Sequence, residues 1–277
     1  MTGEFIYPTQ AGTVTMSAEP GRHRWRAAVL TYHSLDESGS VLSTPPGIFA
    51  EQMWVLAESG VRIVPLADLP GLMAATSTGA PVVALTFDDG YRSVAEHALP
   101  VLVKHGFPAT VFVVSDYCGR TNAWPSQPPH VVGRPLLSWA ELRTLGRAGV
   151  TPGCHSRTHP DLRRLSAAQL SEEVAGGKAQ IEDALGTPVE TFAYPYGMYD
   201  WRVRALAAGH FSLACATTLG FVASASDRFA IERLDMYYLR HPPLLARLFT
   251  PPVRGYLGLR RNLRDLRSRM RRPQAAR

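Results

Sequence analysis

A single α/β barrel of parallel strands is the fold this sequence predicts, on three observations. The chain has 277 residues and is 45% apolar, and an α/β barrel is commonly one domain of about 200–250 residues. Short apolar runs alternate with helical stretches from residue 27 to residue 236, which implies parallel strands joined by right-handed crossovers. No glycine-rich phosphate fingerprint follows the first strand candidate, which counts against a dinucleotide-binding open sheet. About seven or eight strand candidates favour closure into a barrel over the alternative, an open doubly wound sheet.

The elements read in order as follows. "AAVLTYHS" (27–34) is a strand, and "PGIFAEQMWVLAESG" (46–60) sets Phe49, Met53, Leu56 and Ala57 at helical spacing before a closing Gly60. "VRIVPL" (61–66) is strand-like, and "PVVALTFDDG" (81–90) is a buried strand running into a turn. "SVAEHALPVLVKHG" (93–106) is a helix ended by Gly106, with Pro100 as a kink, and "PATVFVVS" (108–115) is the next strand. After a proline-rich loop (124–135), Ser138 and Glu141 form a capping box that opens the helix "WAELRTLGRAG". "VTPGCHS" (150–156) is a short strand ending in polar residues. Ser166 and Gln169 form a second capping box, for a helix to about Leu185 with Leu170, Val174, Ile181 and Leu185 on one face. "ETFAYPYG" (190–197), "FSLACATTLG" (211–220) and "FAIERLDM" (229–236) are the remaining strands, with a helix over about 200–208.

Composition sets the boundaries. No apolar run approaches the ~18 residues of a membrane span, and the first 26 residues lack a basic start followed by an apolar core, so they read as a weakly ordered leader and not a signal peptide. Cys118, Cys154 and Cys215 are too few and scattered for a disulfide framework, which fits a cytoplasmic protein with reduced thiols. From Arg240 to Arg277 there are eleven arginines against one aspartate, a balance of +10 that leaves −4 for the remainder of a +6 chain. The reading is therefore a leader (1–26), a mildly acidic barrel (27–239) and a basic tail (240–277). In the tail, Tyr256, Leu259, Leu263, Leu266 and Met270 share one helical face among arginines. Such a helix suits a membrane surface, at the inner membrane face, or simply a solvated helix docked on the barrel. Nucleic acid is not expected, because the body is acidic and no binding fold appears.

Polar residues gather at the C-terminal ends of the strands, where parallel α/β folds carry ligands and catalysis. "LTYHS" ends in His33, "LTFDDG" in Asp88 and Asp89, "TPGCHSRTHP" supplies His155 and His159, and "FAYPYG" ends in Tyr194, Pro195, Tyr196 and Gly197. Each alone has an ordinary reading: a solvated turn, surface histidines, a rigid loop. Together they fit one divalent-metal site. One helical turn would put His155 and His159 on the same face, and two histidines plus one carboxylate of the aspartate pair leave positions open for chemistry. Strand alternation points Cys154 away from His155. A metal lowers the pKa of bound water from 15.7 toward roughly 7 and polarises a carbonyl, and the second carboxylate would then serve as general base. That is amide or ester hydrolysis.

These motifs resemble those of the polysaccharide deacetylases, the NodB-homology or carbohydrate esterase family 4 group. "TFDDG" (86–90) is similar to the family's first motif, "HSRTH" (155–159) to its second and "YPYG" (194–197) to the end of its third. The resemblance implies a distorted (β/α)7-8 barrel of the glycoside hydrolase/deacetylase type. It also implies a divalent metal, zinc most often, and removal of acetyl groups from N-acetylated sugars, polysaccharides or glycolipids. By the same resemblance Asp88 is the catalytic base, and Asp89, His155 and His159 are the metal ligands. The Tyr196 backbone N–H helps hold the oxyanion and Pro195 shapes the groove wall. The third motif's arginine position is Ala193, and no late Leu-x-His element supplies a catalytic acid. "VLTYHS" resembles a subgroup, including poly-N-acetylglucosamine deacetylases, in which the early histidine takes the acid role, so His33 is the candidate acid. Arg233 is a candidate for the missing charge near the base. Trp139 and Trp201 stand at helix starts, where core packing is expected ahead of a sugar-groove role. A glycan-binding protein without turnover, or a hydrolase of a non-sugar amide, are the alternatives.

Overall fold

The computed structural model describes residues 26–74, 79–127 and 131–270, with side chains to residue 267. Most of the expected leader (1–25) and the end of the basic tail (271–277) lie outside the described residues. Seven parallel strands close a barrel: β1 (Ala27–Tyr32), β2 (Val82–Phe87), β3 (Ala109–Val113), β4 (Val150–Cys154), β5 (Thr191–Ala193), β6 (Leu213–Leu219) and β7 (Ile231–Asp235). Closure comes from β1, which pairs with β2 over its whole length and with β7 at Leu30–Leu234. The expected strand at 61–66 shrinks to Arg62–Ile63, which pairs with Val82 and Val83 beside the barrel seam; Pro65 has no N–H to extend it, and a 3-10 turn follows at Leu66–Asp68.

The barrel is explained by alternation. Ala28, Leu30 and Tyr32 of β1 and Val83, Leu85 and Phe87 of β2 join the outer core under the helices. Ala27, Val29 and Ala84 face the interior with Phe112, Ala193, Leu213, Cys215 and Ile231. Phe112 fills the interior only because β4 carries Gly153, where a Cβ would meet its ring at 2.5 Å. Higher in the barrel the same inward positions turn polar, with Thr31, Thr86, Asp88 and Arg233 all buried. Apolar packing thus closes one end of the barrel and leaves the C-terminal end for a site.

Both capping boxes form: Ser138 with Glu141 opens the helix Trp139–Arg147, and Ser166 with Gln169 opens Ala167–Ser171. The kink at Pro100 takes a particular form, a π-helical turn Val94–Ala98 that passes into the α-helix Leu99–His105. Proline supplies no N–H for the i→i−4 ladder, so the preceding turn widens. Along the helix Pro46–Glu58, Phe49, Met53 and Leu56 are buried as expected, but Ala57 is exposed and Gln52 is buried in its place. Gln52 is satisfied there, accepting from the Tyr32 hydroxyl and donating to the Leu239 carbonyl.

The basic tail is helical from Pro251 to Met270. It docks through Val253, Tyr256 and Leu257, and Tyr256 Oη donates to the Tyr238 carbonyl at 3.2 Å. Only part of the expected apolar face is used, because Leu259, Leu263 and Leu266 are exposed. The Met270 side chain lies outside the described residues.

Candidate active site

A cleft of about 330 Å³ opens at the C-terminal end of the barrel, lined by His33, Asp88, Asp89, His155, His159 and Tyr196 among others. The candidates converge because the strand ends do. Asp88 ends the inward-facing series of β2, and its N–H donates to the Tyr32 carbonyl at 2.9 Å, which extends the β1–β2 ladder. Strand alternation alone would send Asp89 to the opposite side. Asp89 instead adopts φ 69°, a left-handed conformation that reverses the chain and brings the second carboxylate into the same cleft.

The histidine pair is not helical. His155 leaves β4 with its N–H on the Val113 carbonyl, and the chain then turns through Ser156 (φ 65°) and His159 (φ 58°). Pro160 follows His159, and a residue before proline is pushed out of the α region, so the expected helical turn is replaced by a loop. The loop is held by the His159 N–H donating to Ser156 Oγ and by Glu173, which accepts from the backbone N–H groups of Arg157 and Thr158. Four non-glycine residues among those described have positive φ: Asp89, Ser156, His159 and Tyr196. All four lie in the aspartate, histidine and tyrosine motifs, where such strain marks functional loops.

Asp89, His155 and His159 form a donor cluster whose ligand atoms all lie within 4.8 Å of one another. The His155 and His159 Nε2 atoms stand 3.5 and 3.4 Å from Asp89 Oδ1. Ligands bonded tetrahedrally at ~2.0–2.2 Å sit about 3.3–3.6 Å apart, so these separations suit a divalent ion such as zinc. His155 Nδ1 lies 2.7 Å from the Ala193 carbonyl, which fixes the ring and frees Nε2 for the cluster. His159 is positioned by rings: Trp124 and Tyr196 each stand 4.5 Å away by centroid. Burial drives the His159 pKa down to about 3, with no partner on Nδ1 to offset it. Burial also disfavours the charged form of His155, but its bond to Asp89 and the charges of Asp88 and Asp89 reverse the sign and raise it. Burial opposes ionisation of Asp89 as well, and the histidine hydrogen bond and charges outweigh it, so its carboxyl stays well below the usual range.

Arg233 reaches Asp88 from β7, across β1, which lies between β7 and β2. Its Nη1 and Nη2 donate to the two carboxylate oxygens at 2.7 Å each, and its Nε donates to the Ala216 carbonyl at 2.9 Å. The β6–β7 register shifts between Ile231 and Arg233, a bulge that places that carbonyl where the guanidinium can use it. Burial alone would raise the Asp88 pKa, but the Arg233 charge leads the groups that hold it low. His33 Nε2 lies 3.8 Å from Asp88 Oδ2, with one-fifth of its side chain open to solvent.

Tyr196 lines the cleft together with Tyr194, with Pro195 buried between them. Its hydroxyl donates to the Ser126 carbonyl at 2.9 Å. Gly197 cannot be replaced cheaply: at φ 66° an added Cβ would meet Thr217 Oγ1 at 2.0 Å. Cys154 points outward and is buried under Gly177, and burial pushes its thiol up to about 12, so it takes no part. Trp139 packs against the core. Trp201 does not, being 78% exposed at the helix start Trp201–His210. Sequence reasoning did not find Trp124, Gln127, Thr217 or Asp235 in the lining, nor Arg264, which arrives from the C-terminal helix. The ring-bearing loop at Trp124 carries no motif, and nothing local ties residue 264 to a site so distant in the chain.

Comparisons with known proteins bear on the family and the fold. The sequence pattern of the polysaccharide deacetylase family matches residues 75–210, just under half of the chain. A chitooligosaccharide deacetylase of Bradyrhizobium is 31% identical over 144 residues, covering 49% of this chain and 58% of its own length. The chain therefore spans little more than half of that relative. The deacetylase PplD of Streptococcus pyogenes, solved with acetate, has the same fold, with TM-score 0.67 and 22% identity over 76% of this chain and 92% of its own. IcaB of Ammonifex degensii superimposes with TM-score 0.66 and 25% identity, covering 80% and 95% of the two chains. The polysaccharide deacetylase family is supported by these matches, and they indicate a deacetylase-type hydrolase of an amide carbon–nitrogen bond.

Proposed function

We propose that this polysaccharide deacetylase-type hydrolase removes N-acetyl groups from an N-acetylated sugar, polysaccharide or glycolipid, with a divalent metal, zinc foremost, as cofactor. The observation that carries the reading is the pairing of two sites in one cleft: an Asp–His–His donor cluster and, beside it, a carboxylate gripped by arginine. Asp89, His155 and His159 would hold the metal. When bound, it supplies Lewis-acid polarisation of the acetyl carbonyl and activation of water.

The chain's own residues do the rest. Asp88, kept ionised and fixed in direction by Arg233, takes the proton from the attacking water. His33, within reach of Asp88, donates a proton to the leaving amine. The Tyr196 backbone N–H stabilises the oxyanion as the carbonyl becomes tetrahedral. The residue standing at Ala193 is too small to tether the base, and Arg233 takes that task from β7. The early Tyr32–His33 element favours the same subgroup reading. With the base tethered, the reason to favour a glycan-binding protein without turnover weakens. The reading extends to a glycan carried on a lipid and to a cytoplasmic protein at the inner face of a membrane.

The test is acetate release from a panel of chitooligosaccharides, lipid-linked sugars and nucleotide-linked sugars, with zinc added to metal-depleted protein. Acetate and free amine in equal amounts are expected from at least one substrate. Glycan binding without acetate at full metal loading would support the binding-protein alternative instead, and acetate only from non-sugar amides would move the substrate class.

A further inference from the structure

We infer that the C-terminal helix Pro251–Met270 is a docking surface for anionic lipid bilayers and turns the catalytic cleft toward the membrane. The helix has two different faces. One is used internally: Val253 and Leu257 are buried, and Arg254 stacks over the Phe221 ring at 4.7 Å. The other carries Leu259, Leu263 and Leu266, which are 58%, 40% and 54% exposed. Spacings of four and three residues align these leucines in one stripe. Arg261 and Arg267 lie exposed on the same stretch, against Asp265 alone, while Arg260 stacks on the Tyr238 and Tyr256 rings and Arg264 faces the cleft.

Charge decides the occupant. The segment from Arg240 onward carries +10, against −4 for the remainder. A leucine stripe bordered by arginines is the chemistry of a helix lying in an interface, apolar side in the acyl boundary and cations among acidic headgroups. A second copy of the chain is a poorer occupant, since three leucines cover far less than the ~800 Å² per partner of a stable interface. No helix among the described residues is long and apolar enough to cross a membrane, so the contact is one of lying on a surface. Arg264 gives the helix its bearing on the reaction. It lines the same cleft as Asp88 and His155, so the helix that carries the stripe runs past the cleft. The docking surface stands on the helix itself; only its bearing on a lipid-linked substrate rests on the deacetylase reading.

The experiment is co-sedimentation of the full chain with phosphatidylcholine vesicles, with and without phosphatidylglycerol. The chain should pellet only with the anionic vesicles and be released by high salt. The triple variant Leu259→Asn, Leu263→Asn, Leu266→Asn should bind at least about tenfold more weakly, while its circular dichroism and its acetate release from soluble chitooligosaccharide stay as in the parent. Arg261→Glu with Arg267→Glu should weaken binding through charge alone. A parent that stays in the supernatant with anionic vesicles overturns the proposal. So does a triple variant that pellets like the parent, or a parent dimer that the triple variant dissociates. Vesicle binding without any acetate release would leave the docking surface standing and count against the deacetylase reading alone.

Discussion

Arg233 and Asp88, 145 residues apart, meet inside the barrel in a two-pronged pair, with both guanidinium Nη atoms 2.7 Å from separate carboxylate oxygens. Both side chains are buried. Removing one partner strands a charge in a low-dielectric interior, which costs about 3–5 kcal/mol. Arg233→Ala should therefore lower the urea midpoint strongly as well as cut turnover. Arg233→Lys keeps the charge but loses the fork, so its stability should recover more than its kcat. Equal recovery of both would mean that Arg233 acts on Asp88 only as a counter-charge.

Asp88 and His155 should separate by metal content. Asp88→Asn should abolish acetate release with zinc still bound, because the ligands are on other residues. His155→Ala should lose both, since it removes a ligand whose ring is already fixed by the Ala193 carbonyl. Metal analysis of the two purified variants checks this, and retained zinc in His155→Ala would sink its assignment as a ligand.

His33 stands 3.8 Å from Asp88, too far for a direct hydrogen bond, at the mouth of the same cleft. If it is the acid, His33→Ala should cost at least tenfold in kcat, about 1.4 kcal/mol of barrier, most of all on substrates with a poor leaving amine. A smaller loss would remove it from the acid role.

Acid should destabilise the metal-free protein through His159. Burial pulls its pKa down to about 3 in the fold, whereas an unfolded histidine titrates near roughly 6.5. A depressed folded pKa means the unfolded chain takes the proton first. The stabilising difference is thus complete above about 6.5 and is lost progressively as pH falls toward 3. His159→Gln should flatten that part of the urea-midpoint profile; an unchanged slope would show that other groups set it.

Gly197→Ala tests the loop that carries Tyr196. The added methyl meets Thr217 at 2.0 Å on a backbone held at φ 66°, so a loss of about 1–3 kcal/mol is expected. The companion variant Gly197→Ala, Thr217→Gly, which removes every Thr217 side-chain atom in the way, should recover the steric part of it, read as the thermal midpoint.

Much of this was legible from residue order because it depends on neighbours in the chain. Ser138 with Glu141 and Ser166 with Gln169 are self-contained devices, and both formed. The apolar runs at 27–34 and 81–90 likewise formed the strands Ala27–Tyr32 and Val82–Phe87. The motifs at 86–90, 155–159 and 194–197 converged because parallel strands end together. What the sequence did not reveal depends on contacts across the fold. A helical wheel finds Leu259, Leu263 and Leu266 but cannot say that Val253 and Leu257 take the barrel instead. The left-handed turns at Ser156 and His159 follow from Pro160 and from Glu173, which lies on another element. Residue order offered Arg233 as the charge near the base, but its two-pronged grip on Asp88 requires both a closed barrel and the register shift in β6–β7.

The most direct test of the central claim is acetate release measured against zinc equivalents, for the parent and for Asp88→Asn at equal metal occupancy. The account predicts that release from an N-acetylated chitooligosaccharide rises with zinc and saturates near one equivalent in the parent, while Asp88→Asn binds the same zinc and releases almost none. Equal release by both proteins, or release by the parent that is indifferent to zinc and chelator, would contradict it.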